Sequence, residues 1–427
     1  MKSTITCDME GVIETMNDDA EKIFGYKKEE LIGKKRVSIF SPGEIVLQNV
    51  ANWLDTAVKQ GEYIGETYFL KKDGTKINAK IRITPTFANG KNNPQTGYCG
   101  VTEVIEKNVN VPINFSTKLI KMLAITRMPF TSASLLPVFV VGAYFAGMGA
   151  NISILGFIYT IIGILIAHLA MNVFNDYFDV KDGTDEANAE YFQQVSGGSR
   201  AIELGLISLK ETKKLGQKLL VVGLLIGGMI ANNVDPANTN GIISIILIGA
   251  FLGYFYTARP LRLVARRGLG ELAIFLAFGP LLTLGVGYAI FKGDFGASEH
   301  FIHCLLLGIP LGLLTTNILL INEFPDAKSD ATTGKNHLVV TFGKKASRWI
   351  YLVFLILATA ASFYLCEQMG NNLILIPTLF CLFFGLYIFK HIFKHYELRT
   401  LVDANWKTIA LQALYSIILC ICLLINL

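Results

Sequence analysis

Charged residues are scarce in this chain of 427 residues. Asp, Glu, Lys and Arg make up 17% of it, against roughly 25% in an ordinary soluble protein. With 52% hydrophobic residues and a mean hydropathy of +0.47, that shortage excludes a single soluble domain. Cysteine pairs are missing too. The seven cysteines contain no C-x-x-C, and Cys304, Cys366, Cys381, Cys420 and Cys422 lie in apolar stretches. That pattern gives neither a disulfide framework nor a zinc site. The opening MKSTITCDME has no apolar core and does not read as a signal peptide. Composition excludes disorder and collagen-like repeats, and nothing points to nucleic acid. Residues 1–110 carry equal numbers of basic and acidic side chains, so the net charge of +5 belongs to the remainder. A charge-balanced soluble module is therefore joined to a membrane module.

Long apolar runs are what the second module has. A bilayer span needs roughly 20 apolar residues. Nine spans are expected, at 130–148, 152–174, 215–232, 241–257, 269–291, 302–321, 348–366, 373–393 and 408–426. Loops 175–214, 258–268, 322–347 and 394–407 are rich in Lys and Arg, whereas the alternate loops contain only Lys292. The basic loops share one parity and therefore one face, which the positive-inside rule makes cytoplasmic. The N-terminal module falls on that face as well. The two longest basic loops follow the second and sixth spans and each opens with acids. This recurrence suggests two pseudo-repeated four-helix halves plus one helix, with a site between the halves.

The first acidic cluster places Asn172, Asn175, Asp176 and Asp179 on one helix face, with Lys181, Asp182 and, after Gly183, Asp185 following. The second places Asn322, Asp326 and Asp330 at four-residue steps, followed by Gly334 and Lys335. Carboxylates stacked a turn apart repel unless a cation lies between them. Oxygen-only clusters suit Mg2+, which is usually held by one or two carboxylates plus substrate phosphates. A diphosphate bridged through metal is the natural ligand. Solvated helix ends are the bland alternative for either cluster alone. Two clusters with similar spacing after equivalent spans favour a site, as does an acid at membrane depth.

These residues resemble the UbiA-type intramembrane prenyltransferases over roughly 118–427. The resemblance rests on Asn175-Asp176-x-x-Asp179 with Asp185 after the second span, and on Asp326-x-x-x-Asp330 after the sixth. Within that superfamily the 1,4-dihydroxy-2-naphthoate prenyltransferases of menaquinone synthesis are most similar. Ser196-Gly197-Gly198-Ser199-Arg200, Tyr256-Thr257-Ala-Arg259-Pro260, Arg267-Gly268-Leu-Gly270-Glu271 and Asp330-x-x-x-Gly334-Lys335 carry that likeness, and Thr126-Arg127-Met-Pro129 resembles the first-helix entry. Two departures separate the chain from the ubiquinone branch. Tyr256 is followed at +4 by Pro260 rather than Lys, leaving Arg259 or Arg262 to replace it, and Asp185 sits ten residues after Asn175 rather than eight.

The resemblance implies an all-α polytopic membrane enzyme that transfers a polyprenyl group from its diphosphate to an aromatic ring. It implies Mg2+ held by Asp176, Asp179, Asp326 and Asp330, with Asp185 a further ligand or a helper in acceptor deprotonation. Asn175 and Asn322 would orient metal waters or phosphate. Lys181, Arg200, Lys335, Arg127 and Arg259 would clamp the diphosphate, Arg as a fork and Lys as a point charge. Tyr256 would face an allylic cation through its ring. His168 and His337 lie near the motifs and receive no role.

Residues 8–106 mix helix and strand patterns. Asp8-Met-Glu-Gly11-Val-Ile13 reads as a turn and strand, Asn17–Phe24 as a helix, and Asp73-Gly74 as a hairpin turn between 63–70 and 76–85. A last strand covers 97–104. The order β–α–α–β–β–β, with Gly25-Tyr26-x-x-Glu29-Glu30-Leu31-Ile-Gly33, resembles a PAS sensor domain of α+β type. No histidine precedes His168, so a histidine-ligated haem is excluded there; Cys7 and Cys99 read as plain core or surface residues. The expected organisation is a PAS-like domain at 1–108, a linker and interfacial segment at 109–129, and the prenyltransferase domain at 130–427. The first would gate the enzyme or mediate a dimer. A PAS-linked membrane receptor or transporter is the competing class. For the acceptor, 4-hydroxybenzoate, homogentisate, phenazine and glycerol phosphate stay open.

Overall fold

The computed structural model describes the chain apart from residues 89, 91, 92, 189, 190, 192–195, 426 and 427, and apart from the side chains of 129, 186 and 187. The chain divides into two compact units. One comprises Met1–Ile125 with Ser199–Leu209, the other Thr126–Gly198 with Lys210–Leu427.

The first unit is built on a five-stranded antiparallel sheet in the order β2-β1-β5-β4-β3. Its strands are β1 Lys2–Asp8, β2 Ile13–Met16, β3 Tyr63–Leu70, β4 Lys76–Phe87 and β5 Gln95–Val104. The sequence reading missed β1, whose Ser3, Ile5 and Cys7 alternate inward with polar Thr4 and Thr6 between them. The expected hairpin is present. Asp73 Oδ1 accepts the Thr75 N–H at 2.8 Å, and Gly74 takes φ 84°, which only glycine adopts freely. Helix α1, Asp18–Phe24, starts where the Asn17 side chain accepts the Ala20 N–H and stops at left-handed Gly25. Ile13, Phe24, Leu31, Phe40, Ile45 and Trp53 of helix α2, Ala51–Gln60, pack the core. Burial, with Asp8 beside it, pushes the Cys7 thiol up to about 11, so it stays neutral. The returning segment 199–209 packs here as well. A Cβ on Gly43 would lie 2.3 Å from the Leu204 carbonyl oxygen and 2.6 Å from Leu206, and Leu206 is buried.

The second unit is helical. Among the described residues, eight helices or helix pairs are long and apolar enough to cross a membrane. Helix α3, Ser132–Gly147, makes the first expected span but has only 16 residues, about 24 Å against a hydrocarbon core of about 30 Å. Then follow α4 Ile154–Lys181, α5 Leu209–Asn233 and α6 Thr239–Thr257. The fifth span is a pair, α7 Leu269–Phe278 and α8 Pro280–Ile290, broken at Gly279. Helices α9 Glu299–Thr332, α10 Leu338–Phe342, α11 Lys344–Met369, α12 Leu375–His395 and α13 Val402–Ile425 complete the unit. The sequence reading ended the last span at 426, outside the described residues.

Two helices position the site. With 28 and 34 residues, α4 and α9 run about 42 and 51 Å, longer than a bilayer requires. They continue past the expected ends of their spans, and those extra turns carry the acidic motifs. Helix α9 is central, packing on α3, α7, α8, α11 and α13. The α7–α8 break lets backbones meet there. A Cβ on Gly308 would lie 2.7 Å from the Gly279 carbonyl carbon, and one on Gly312 would lie 2.5 Å from the Phe275 carbonyl oxygen.

Candidate active site

The two motifs converge through the segment that follows α4. Asp326 Oδ1 accepts from Asn188 Nδ2 at 2.8 Å and Ser196 Oγ at 2.9 Å, and its Oδ2 accepts the Gly197 N–H at 2.9 Å. The next residue, Gly198 (φ 75°), is flanked by the first motif. A Cβ there would sit 2.9 Å from Asp176 Oδ1 and 3.7 Å from Asp185 Oδ1. Asp326 thus reaches Asp176 and Asp185 across two glycines, each too small to block the approach. Asp176, Asp179, Asp185 and Asp330 are all buried.

Cations bind this cluster at named points. Lys335 Nζ lies 3.2 Å from Asp179 Oδ2 and 3.3 Å from Oδ1, which joins the loop after α9 to α4. Burial works against its charge, but Asp179, Asp330 and Asp326 outweigh that and hold the ammonium above its ordinary pKa. Arg262 Nε pairs with Asp182 Oδ2 at 3.2 Å, and its Nη1 donates to the Thr333 carbonyl at 3.1 Å. These bonds offset the left-handed backbone of Arg262 (φ 45°). Exposed Arg259 meets the other Asp182 oxygen at 3.4 Å. Asp182 therefore anchors both arginines, a role its place in the motif did not signal.

A third group lies beneath Asp330. His337 Nε2 is 3.1 Å from Asp330 Oδ2, and its Nδ1 is 3.2 Å from Glu323 Oε2. Burial lowers the affinity of this imidazole for a proton, but Glu323 and Asp330 raise it further, to about 9. Glu271 Oε1 accepts the Leu338 N–H at 2.7 Å, so it caps α10 rather than its own helix. Spacing could not reveal this trio, because it joins residues from three separate elements.

An apolar cavity of about 320 Å3 adjoins the motifs, lined by α4, α5, α6, α7 and α8. Asn175 and Tyr256 line it, and among the described residues neither Asn175 Oδ1 nor the Tyr256 hydroxyl has a hydrogen-bond partner. Asn172, Ser134 and His168 add a polar patch, with Ser134 Oγ 2.7 Å from His168 Nδ1.

Other expected residues stand elsewhere. Asn322 Oδ1 accepts from Asn405 of α13 at 2.8 Å. The Arg127 guanidinium lies over the Phe130 ring, 5.3 Å from its centroid. Lys181 is exposed, its ammonium 5.9 Å from the Tyr177 ring centroid. Arg200 belongs to the first unit, where it pairs with Glu203 at 3.1 Å. The Gly197 N–H donates to Asp326.

Residues 134–412 match the UbiA prenyltransferase family, and residues 2–104 match the PAS domain. A 1,4-dihydroxy-2-naphthoate octaprenyltransferase of Haemophilus influenzae is 30% identical over 208 residues, 47% of this chain and 61% of the relative. The chain thus spans less than two thirds of that relative's length. A protein of the same name from Bacillus subtilis is 27% identical over 249 residues, 56% of this chain and 74% of the relative. A solved UbiA homolog from Archaeoglobus fulgidus, bound to DMAPP and Mg2+, aligns over 70% of this chain and 99% of its own, with 16% identity and a TM-score of 0.50. That likeness is one of fold.

Proposed function

Because the chain belongs to the UbiA prenyltransferase family, we propose that it transfers a polyprenyl group from its diphosphate to an aromatic acceptor, 1,4-dihydroxy-2-naphthoate, within a membrane. The observation that carries this is the bridge from Asp326 through Gly197 and Gly198 to Asp176 and Asp185, set beside an apolar cavity. The naphthoate acceptor is supported by the names of the Haemophilus and Bacillus relatives. The cytoplasmic placement of the motif loops rests on their basic residues.

The donor set fits Mg2+. Carboxylates from both motifs meet two adjacent glycines, Asp326 at Gly197 and Asp176 and Asp185 at Gly198, and hard oxygen donors are what this ion takes. Asp176, Asp179, Asp185, Asp326 and Asp330 would hold it. When bound, it supplies positive charge that stabilises diphosphate as a leaving group.

The chain's own residues do the rest. Lys335 presents an ammonium held charged by Asp179 and Asp330, a point clamp for diphosphate oxygens. Arg262, fixed by Asp182 and Thr333, keeps the loop beside it in place. The cavity takes the prenyl chain and excludes water from the carbon that loses its diphosphate. Breaking the C1–O bond sends its electron pair to diphosphate. Tyr256, at the junction of cavity and acids, faces the resulting allylic charge. Asn172, Ser134 and His168 offer hydrogen bonds to the acceptor hydroxyls. Attack by the ring carbon that bears the carboxylate then forms the new C–C bond, and that carboxylate leaves as CO2 with the electron pair of its bond returning to the ring.

The N-terminal domain is proposed as a regulator with a direct handle. Its core packs segment 199–209, which continues covalently from Gly197 and Gly198.

Purified protein incubated with farnesyl diphosphate, Mg2+ and the naphthoate should yield a decarboxylated prenyl naphthoquinol, lost on chelation and in Asp326→Ala. Product from another aromatic alone would discard the acceptor. Absence of metal-dependent turnover with any prenyl diphosphate would sink the enzyme reading.

A further inference from the structure

We propose a second cation site, separate from the motif carboxylates, formed by Glu271, Glu323 and His337 and taking one divalent transition ion of the Zn2+ or Co2+ class. One ligand atom from each residue lies within 4.8 Å of the others. Bonds of about 2.0–2.2 Å let one ion span such a group after a small side-chain adjustment. The three residues are 2%, 5% and 1% exposed in that order, so water does not compensate their charge.

Unmet oxygens point to the ligand. Among the described residues no hydrogen-bond donor meets Glu323 Oε1 or Glu271 Oε2, whereas Glu323 Oε2 faces His337 Nδ1 at 3.2 Å. Buried carboxylate oxygens left without a donor or cation are costly, and a bound ion would meet them. Glu271 Oε1 is already occupied by the Leu338 N–H, which leaves Oε2 for the ion.

His337 supplies the selectivity. Its Nε2 lies 3.1 Å from Asp330 Oδ2. Its Nδ1 lies 3.2 Å from Glu323 Oε2 in the ion pair described above, and the proton held there is the one that a metal ion would displace. Metal-bound histidines usually donate their other N–H to a carboxylate in this way, which fixes tautomer and ring angle. An imidazole nitrogen disfavours Mg2+ and Ca2+ and suits Zn2+ or Co2+. The ion would tie α7, α9 and the start of α10 together around Lys335, and through His337 it would aim Asp330.

The test uses the full chain in detergent, stripped of metal and titrated with Co2+ under a large excess of Mg2+, reading the visible d–d absorption. A single Co2+ per chain should be retained. Glu323→Gln, close to isosteric, and His337→Ala should each weaken it at least about tenfold, while Asp176→Asn should keep it. Complete displacement of Co2+ by Mg2+, or unchanged binding in both variants, would overturn the site. Should the variants fail to fold, X-ray absorption on the Co2+-loaded wild-type chain decides. Imidazole scattering supports the site, whereas an all-oxygen shell means that His337 is merely an imidazolium between two carboxylates and overturns it.

Discussion

Lys335 supplies the ammonium that the acid cluster holds, at Asp179. It follows the left-handed Gly334 (φ 72°), which turns the chain back so that the ammonium reaches Asp179 on the other motif helix. Replacing it with Met keeps the stem and removes the charge. That leaves Asp179 buried without its ion partner and, under the proposed function, the diphosphate without its clamp. We expect Lys335→Met to raise KM for prenyl diphosphate and lower kcat by about 10²–10³, the usual loss for one electrostatic contact to a developing charge. Lys335→Arg should recover part of it. Steady-state kinetics check this, and unchanged parameters would remove Lys335 from the site. Asp179 and Lys335 were legible in the sequence because each stands in a motif. Asp182 was not assigned, and Arg262 was named only as an alternative to Arg259, because nothing in linear spacing says that a loop arginine 80 positions on will turn back to α4.

At the scale of elements, apolar runs gave most spans, since burying a helix in lipid demands apolar side chains along its length. They under-read the two site helices. Asp, Asn and Lys end a hydropathy run, yet the backbone of α4 and α9 continues hydrogen-bonding through them. The break at Gly279 was hidden for the opposite reason: both α7 and α8 are apolar, so the pair reads as one span. Its cause is close backbone packing against α9. Gly308→Ala would place a Cβ 2.5 Å from Thr283 Oγ1 and 2.7 Å from both the Gly279 carbonyl carbon and the Pro280 Cα. Backbone cannot yield as a side chain can, and overpacking of this kind costs about 1–3 kcal/mol. A lower yield of folded protein in membranes, read by size-exclusion profile after extraction, is the expected result. A wild-type profile would mean that α8 and α9 separate more easily than their packing implies.

For the whole molecule, the chain enters the first unit, leaves it at Ile125 and returns at Ser199. The domain pattern of 1–108 was readable from turn and strand signals, but the return was not. The anchoring residues Ala201 and Leu206 form too short an apolar run to stand out. A charge at Leu206 should release the segment. Leu206→Asp is expected to speed tryptic cleavage after Arg200 and Lys210 several-fold while the strands of the first unit persist; equal cleavage rates would show that the segment is held by something else. The same threading sets an order of events during synthesis. On the ribosome the piece that completes the N-terminal fold emerges only after α3 and α4 have been made, a delay of several seconds at about 5–20 residues per second. Until then Gly43 and its neighbours offer an open apolar edge, and the domain finishes folding only once two helices have been delivered to the bilayer.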